Sequence, residues 1–374
     1  MGVGALFALN GGVVGVWASR IPNITERHGL SEASLGMLLL LIALGAIASF
    51  GLAGRATDRF GAEPVSMGLA VLGTVFLIAT ALAPSSAALA LALALMGASL
   101  GAMDVSMNAW AAKLDAGAPR EAMPVFHALW SMGAGLGAAS GALTLSLGWG
   151  ITTHFAGLGA LGLTLALPLV VAAGGLGPSN TPGTGSLGPT FAVPPRALVG
   201  LGAMAGLAAL GEGAMIDWSA LFLVQAVGST QGQAALGLTV FSICMVATRL
   251  AGPVILDRVG PRRAAVASGF VAAIGVAIAL ASTTPMGVLL GFAAMGLGYA
   301  LIFPLAMSGA AKHPGLSPGR AIATVATLGY SGILVGPVLI GFVAHGTSLS
   351  HAFGLLLALA LVTSVIAMRA RLAP

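Results

Sequence analysis

Gly54-Arg55-Ala56-Thr57-Asp58-Arg59-Phe60-Gly61 returns as Gly252-Pro253-Val254-Ile255-Leu256-Asp257-Arg258-Val259-Gly260, with one residue of slip at the first glycine. Each copy closes one long apolar run and opens another. The matches extend outward in order: Trp17 with Trp218, Leu35-Gly36 with Leu236-Gly237, and Met96-Gly97 with Met295-Gly296. Pro119 then matches Pro318, and Trp130-Ser131 matches Tyr330-Ser331. So many matches in sequence order make the chain an internal repeat, with an uncharged Gly/Pro/Ser/Thr stretch at 176–195 between the copies, a flexible tether by composition.

The composition says where such a chain lives. Of 374 residues, 58% are hydrophobic and 7% charged, whereas a soluble domain carries about a quarter charged residues. These few charges cannot coat a water-facing surface. A soluble enzyme or a nucleic-acid-binding protein is excluded, and the net charge of +5 reflects bases at membrane boundaries. Crossing the hydrocarbon takes roughly 20 apolar residues per helix. Such runs fall at 2–22, 34–54, 65–83, 86–112, 123–147, 150–175, 197–225, 234–254, 264–281, 286–310, 321–343 and 352–369. The reading is an all-α membrane protein of twelve spans in two pseudo-symmetric bundles, 1–175 and 196–374, with a cytoplasmic linker at 176–195. The first run is too long for the apolar core of a signal peptide and is expected to be retained. Continuous runs do not fit the period-two pattern of barrel strands. Cys244 is the single cysteine, so no intramolecular disulfide forms.

Orientation follows the bases. With both termini cytoplasmic, every Lys and Arg except Arg20 and Arg27 falls on the cytoplasmic side. Arg249 is counted there as a boundary residue.

The two Asp-Arg loops resemble the signature loop of the major facilitator superfamily. More narrowly, Trp17-Ala18-Ser19-Arg20-Ile21-Pro22, Met123-Pro124-Val125-Phe126-His127, Glu212-Gly213-Ala214-Met215-Ile216-Asp217-Trp218 and Gly329-Tyr330-Ser331-Gly332-Ile333-Leu334-Val335-Gly336-Pro337 resemble a largely uncharacterised group of bacterial inner-membrane facilitators. That group is distantly similar to fucose permease. The resemblance implies a carrier that works by alternating access, and Asp104 with Asn108 resembles that permease's acid followed by an amide one turn later.

Most of the acids lie in loops or at span ends; Asp104, Glu212 and Asp217 lie inside spans. An ionised acid at the bilayer centre costs at least ~2.5–3.5 kcal/mol on insertion scales, so such acids face a cavity and mark ion or solute pathways. These three are the candidates for proton coupling, Asp104 first and Glu212 its rival. Asp104 lies about 13 Å from the end of span 4 and Asn108 shares its face. A helix tie is the plainer reading of that pair. Glu212 and Asp217, five residues apart, sit about 140° apart on one helix and cannot share a face.

Asn108, His127, Trp130, Tyr299, Tyr330, Trp17 and Trp218 are the candidates for lining a solute cavity, with Trp130 and Tyr330 the strongest because they lie inside spans at equivalent repeat positions. Aromatic faces beside acid and amide groups suit a sugar or another small polar organic solute. The plainer reading of Trp17, Trp218 and Tyr299 is an interfacial aromatic belt, and of His127 an interfacial histidine at a span end. Arg20 and Asp217 fall at similar depth and are expected to pair as a gate; the alternative is that Arg20 snorkels to the interface. Gly54, Asp58, Arg59, Asp257 and Arg258 are expected to form a conformational latch, the plainer reading being solvated turns. The rows Gly133, Gly137, Gly141 and Gly332, Gly336, Gly341 read as close helix packing.

No phosphate loop, metal-ligand cluster or nucleophile triad appears, so no enzyme, metal or cofactor is expected. The partners are protons, a small solute and the lipid bilayer, with no nucleic acid and a monomeric chain. Drug or metabolite efflux is the alternative within transport. A non-transporting receptor is the alternative outside it, and the absence of a signalling tail counts against that reading.

Overall fold

The computed structural model describes residues 2–116, 123–173, 196–312 and 318–370; the expected linker at 176–195 lies outside them. The described residues form helices and no strands. They fall into two units by proximity. The first holds α1 (Gly2–Ala18), α2 (Ile21–His28), α3 (Glu32–Phe60), α4 (Ala62–Leu82), α5 (Ser86–Ala116), α6 (Met123–Ser146) and α7 (Ile151–Ala173). It also takes in the stretch Gln231–Thr239. The second holds α8 (Arg196–Val227), α10 (Pro261–Ala281), α11 (Pro285–Tyr299), α12 (Ile302–Ala311), α13 (Pro318–Gly346) and α14 (Leu349–Arg369), with the remainder of α9 (Gln231–Val259).

Lipid gives helices no hydrophobic reason to associate, so backbones must approach closely enough for dispersion and hydrogen bonds to hold them. Glycine permits this approach, and the repeat shows in where it happens. In the first unit a Cβ on Gly97 of α5 would run into the Ile42 carbonyl of α3; in the second, one on Gly296 of α11 would run into the Phe241 carbonyl of α9. Both residues of the second pair sit 199 positions after those of the first. Likewise Gly133 of α6 meets the Ala8 carbonyl of α1, and Gly332 of α13 meets the Gly206 carbonyl of α8. The repeated loops also agree in backbone. Gly61 joins α3 to α4 at φ 94° and Gly260 joins α9 to α10 at φ 79°, a conformation that a Cβ disfavours.

Ten helices among the described residues are long and apolar enough to cross a membrane, or eleven if α1 and α2 count as one span bent by 44°. Expected span 1 is therefore interrupted. The break falls at Ser19-Arg20, just ahead of Pro22, which sits in the first turn of α2, where its missing N–H costs nothing. The expected run 123–147 forms α6, long enough at 24 residues. His127, Trp130, Ser131, Ser140 and the glycines at 133, 135, 137 and 141 dilute its hydropathy, and α6 is not among the helices that pass.

Candidate functional site

In the first unit, polar side chains converge on α5. The Asn108 amide donates to the Asp104 carboxylate at 2.9 Å and to the Asp104 carbonyl at 2.8 Å. The two share a face as their spacing requires, and both are half-buried. One turn before Asp104, the Leu100 carbonyl accepts from Asn10 of α1 at 3.2 Å, while the Asn10 side-chain oxygen accepts from the Trp130 indole of α6 at 2.9 Å. Asn10 therefore ties α1, α5 and α6 together and fixes the half-buried Trp130 ring. Asn10 is absent from the residues that the sequence singled out, although an amide inside an apolar run is itself a signal. His127 is exposed and meets Phe7 edge to face at 5.4 Å.

Arg20 sits at the α1–α2 break and is 1% exposed, so it does not snorkel. Its Nε donates to Nδ1 of His154 at 3.0 Å, and one terminal nitrogen donates to the Thr144 hydroxyl at 2.9 Å and the Trp149 carbonyl at 3.1 Å. An arginine can only donate, so His154 must accept at Nδ1 and carries its proton on Nε2. Nε2 lies 2.8 Å from the Ser140 hydroxyl. These partners all belong to the first unit, and Asp217, the partner expected of Arg20, is not among them. His154 is a second residue that the sequence does not single out.

In the second unit, Glu212 of α8 pairs with Arg249 of α9 at 3.3 Å. Arg249 reads as a boundary cation in the sequence because the apolar run ends near it. The helix continues to Val259, which leaves Arg249 ten residues, or ~15 Å, inside. Its Nε also donates to the Ala300 carbonyl at 3.4 Å. Asp217 is half-buried on the same helix as Glu212 and makes no ion pair among the described residues.

The remaining aromatic candidates are packed inside their own units. Trp17, Trp218 and Tyr299 are at most 2% exposed, which is the position of a packing residue in this conformation rather than of a cavity wall. Among the described residues, neither indole N–H group has an acceptor. Tyr299 lies against α8, where a Cβ on Gly211 would meet its hydroxyl at 2.5 Å. Tyr330 falls within α13, but its side chain is outside the described residues. Asp58 and Arg59, expected in a loop, lie in the last turn of α3, and Asp257 and Arg258 in the last turn of α9; all four are exposed and make no ion pair among the described residues, and Arg59 lies 5.1 Å from the Phe60 ring. Among the described residues, nothing outside its own helix lies within 4 Å of a Cβ added at Gly54. No group of metal-ligating side chains occurs among the described residues.

Residues 201–374 match the family model of the Major Facilitator Superfamily. An uncharacterised transporter of Sinorhizobium fredii is 39% identical over 98% of this chain and 96% of its own length. An uncharacterised MFS-type transporter of Yersinia pestis is 33% identical over 97% of this chain and 93% of its own. Among solved structures, a mutant of the nucleoside transporter NupG superposes with a TM-score of 0.78 at 15% identity, over 99% of this chain and 98% of that one. At that identity the likeness concerns the fold alone.

Proposed function

Because the chain belongs to the major facilitator superfamily and is a membrane transporter of that type, we propose that it is a proton-coupled carrier of a small polar organic solute, with sugars among the candidates. On this reading twelve spans form two six-helix bundles that alternately expose a site to either side of the bacterial inner membrane. The chain acts as a monomer, with both termini and the 176–195 linker cytoplasmic, the side to which the bases assign them.

The observation that carries the reading is the Asp104–Asn108 pair on α5. A carboxylate inside a spanning helix is retained at a cost unless it handles an ion or a solute. Here it keeps an amide partner that bonds it in either charge state: Asn108 donates to the carboxylate and can accept from the protonated acid. Proton binding thus discharges the helix without breaking the pair, and a discharged carrier reorients across hydrocarbon more readily. Trp130, fixed by Asn10, offers an aromatic face for the solute. Glu212 is the rival coupling acid, and its ion pair with Arg249 favours a role in solute contact.

A solute screen in proteoliposomes under an imposed pH gradient tests the reading. Asp104→Asn is expected to lose uphill accumulation while retaining binding and solute exchange, since exchange needs no net proton release. Glu212→Gln is expected to weaken binding more than coupling. If Asp104→Asn accumulates solute normally while Asp104→Ala fails to fold, the residue is a helix tie and the proposal fails.

A further inference from the structure

Two acids lie inside α8, and their surroundings differ. Glu212 is bonded to Arg249 of α9. Asp217, about 140° further around the helix, makes neither an ion pair nor a hydrogen bond among the described residues. An ionised carboxylate can only accept hydrogen bonds, and at hydrocarbon depth no bulk water is there to donate them. Asp217 stands ten residues, or ~15 Å, before the end of α8 at Val227. Its charge therefore belongs to the span and not to its edge.

The space beside this carboxylate is open. Gly213 lies one turn earlier on the same face, and among the described residues nothing outside its own helix lies within 4 Å of a Cβ added there. Its φ is not positive, so neither packing nor backbone conformation asks for a glycine. Helical side chains lean towards the helix N-terminus, which directs Asp217 over the turn that Gly213 leaves bare. Both residues are half-buried, and from Gly200 to Val224 no residue of α8 is exposed. The opening is therefore a recess beside α8 rather than a lipid-facing surface. In the repeat the counterpart of α8 is α1, which carries no ionisable residue, so the shared scaffold does not require an acid on this helix.

We infer that Asp217 is the recognition carboxylate for a primary ammonium group on the solute, seated in the recess over Gly213. An ammonium supplies both things that the carboxylate lacks, a counter-charge and donors, on one compact head. A hydroxyl supplies a donor but leaves the charge uncompensated, and charges removed from water are kept where they are paired. The glycine sets the size, since the vacant side-chain position admits a small head close to the helix backbone. The inference rests on the reading of the chain as a carrier of a small polar organic solute and narrows that solute to amines. It does not depend on Asp104.

Gly213→Cys tests this in purified full-length protein in lipid nanodiscs, with Cys244 replaced by Ala. The introduced thiol is reacted with a cationic trimethylammonioethyl and an anionic sulfonatoethyl methanethiosulfonate. Each rate is divided by that of the same reagent with a free thiol in solution. Beside a fixed carboxylate the cationic reagent is expected to be favoured at least about tenfold. Asp217→Asn, or Asp217→Ser should that variant not fold, is expected to remove the preference. A thiol that reacts with neither reagent, equal normalised rates, or a preference that persists without Asp217 would overturn the inference. The proteoliposome screen separates it from the carrier reading, with each amine run beside its hydroxyl counterpart: glucosamine beside glucose, ethanolamine beside ethylene glycol. Accumulation of amines that is lost in Asp217→Asn supports both. Accumulation of the hydroxyl members alone, undiminished in Asp217→Asn, leaves the carrier standing and overturns the ammonium site. The expected charge preference with no accumulation of any solute leaves the site standing and overturns the carrier.

Discussion

Arg20 is buried among neutral acceptors, and its Nε–H points at a histidine nitrogen that must be unprotonated. His154→Phe keeps an aromatic of similar bulk but leaves a buried, charged donor unpartnered, a loss of about 1–3 kcal/mol or more. Removing both members takes the buried charge away together with its histidine acceptor, so Arg20→Leu combined with His154→Phe is expected to be more stable than His154→Phe alone. Thermal unfolding of the three variants in one detergent checks this, and strictly additive losses would show that the pair is not a unit. The same network explains why His154 was not legible in the sequence. The pairing spans 134 positions, and a single histidine in an apolar run looks the same whether or not an arginine faces it. Asp104 and Asn108 were legible because helix geometry fixes the distance between residues four apart. Arg249 was misplaced for a third reason. Hydropathy marks where apolar residues stop, not where the helix stops, and α9 continues ten residues past it.

Among elements, the repeat was legible at glycines because their need is steric and local. Gly15 of α1 has no room for a side chain, since a Cβ there would run into the Ala134 carbonyl of α6. Backbone cannot give way as a flexible side chain can, so Gly15→Val is expected to part α1 from α6 and abolish folded protein. Gly54 offers the opposite case. Nothing lies within 4 Å of its added Cβ and its φ is not positive. Gly54→Ala is therefore expected to fold normally and to gain up to about 1 kcal/mol from helix propensity. Expression and size-exclusion profiles of the two variants separate a packing glycine from one present for another reason. If Gly54→Ala folds but transports poorly, the glycine belongs to the latch. The apolar run 123–147 was legible as a helix, but α6 does not pass as a span on mean hydropathy. The glycines that let α6 approach α1 also lower its mean hydropathy, so one requirement hides the other.

For the whole molecule, a shared scaffold carries unlike polar groups in its two units: an acid–amide pair with no cation among the described residues in one, an acid–arginine pair in the other. The repeated Asp58-Arg59 and Asp257-Arg258 loops are the exception, being alike in both. Each lies in the last turn of a helix, and a positive-φ glycine stands two residues after its arginine. An acid at a helix C-terminus faces the negative end of the dipole, and neither acid is offset by an ion pair among the described residues. Folding in this conformation therefore gains little from either, and Asp58→Asn or Asp257→Asn is expected to leave stability within about 0.5 kcal/mol. Under the proposed function, their repetition has its reason in another conformation, where each carboxylate and arginine join a charge-assisted network that forms and breaks as the carrier reorients. Such a network biases populations without touching solute. Either substitution is then expected to slow transport severalfold, with solute affinity in detergent unchanged and the transport rate of the double variant no lower than the product of the two single effects. Full-rate transport in both single variants would leave these loops as solvated turns, and loss of solute binding in either would make that residue structural.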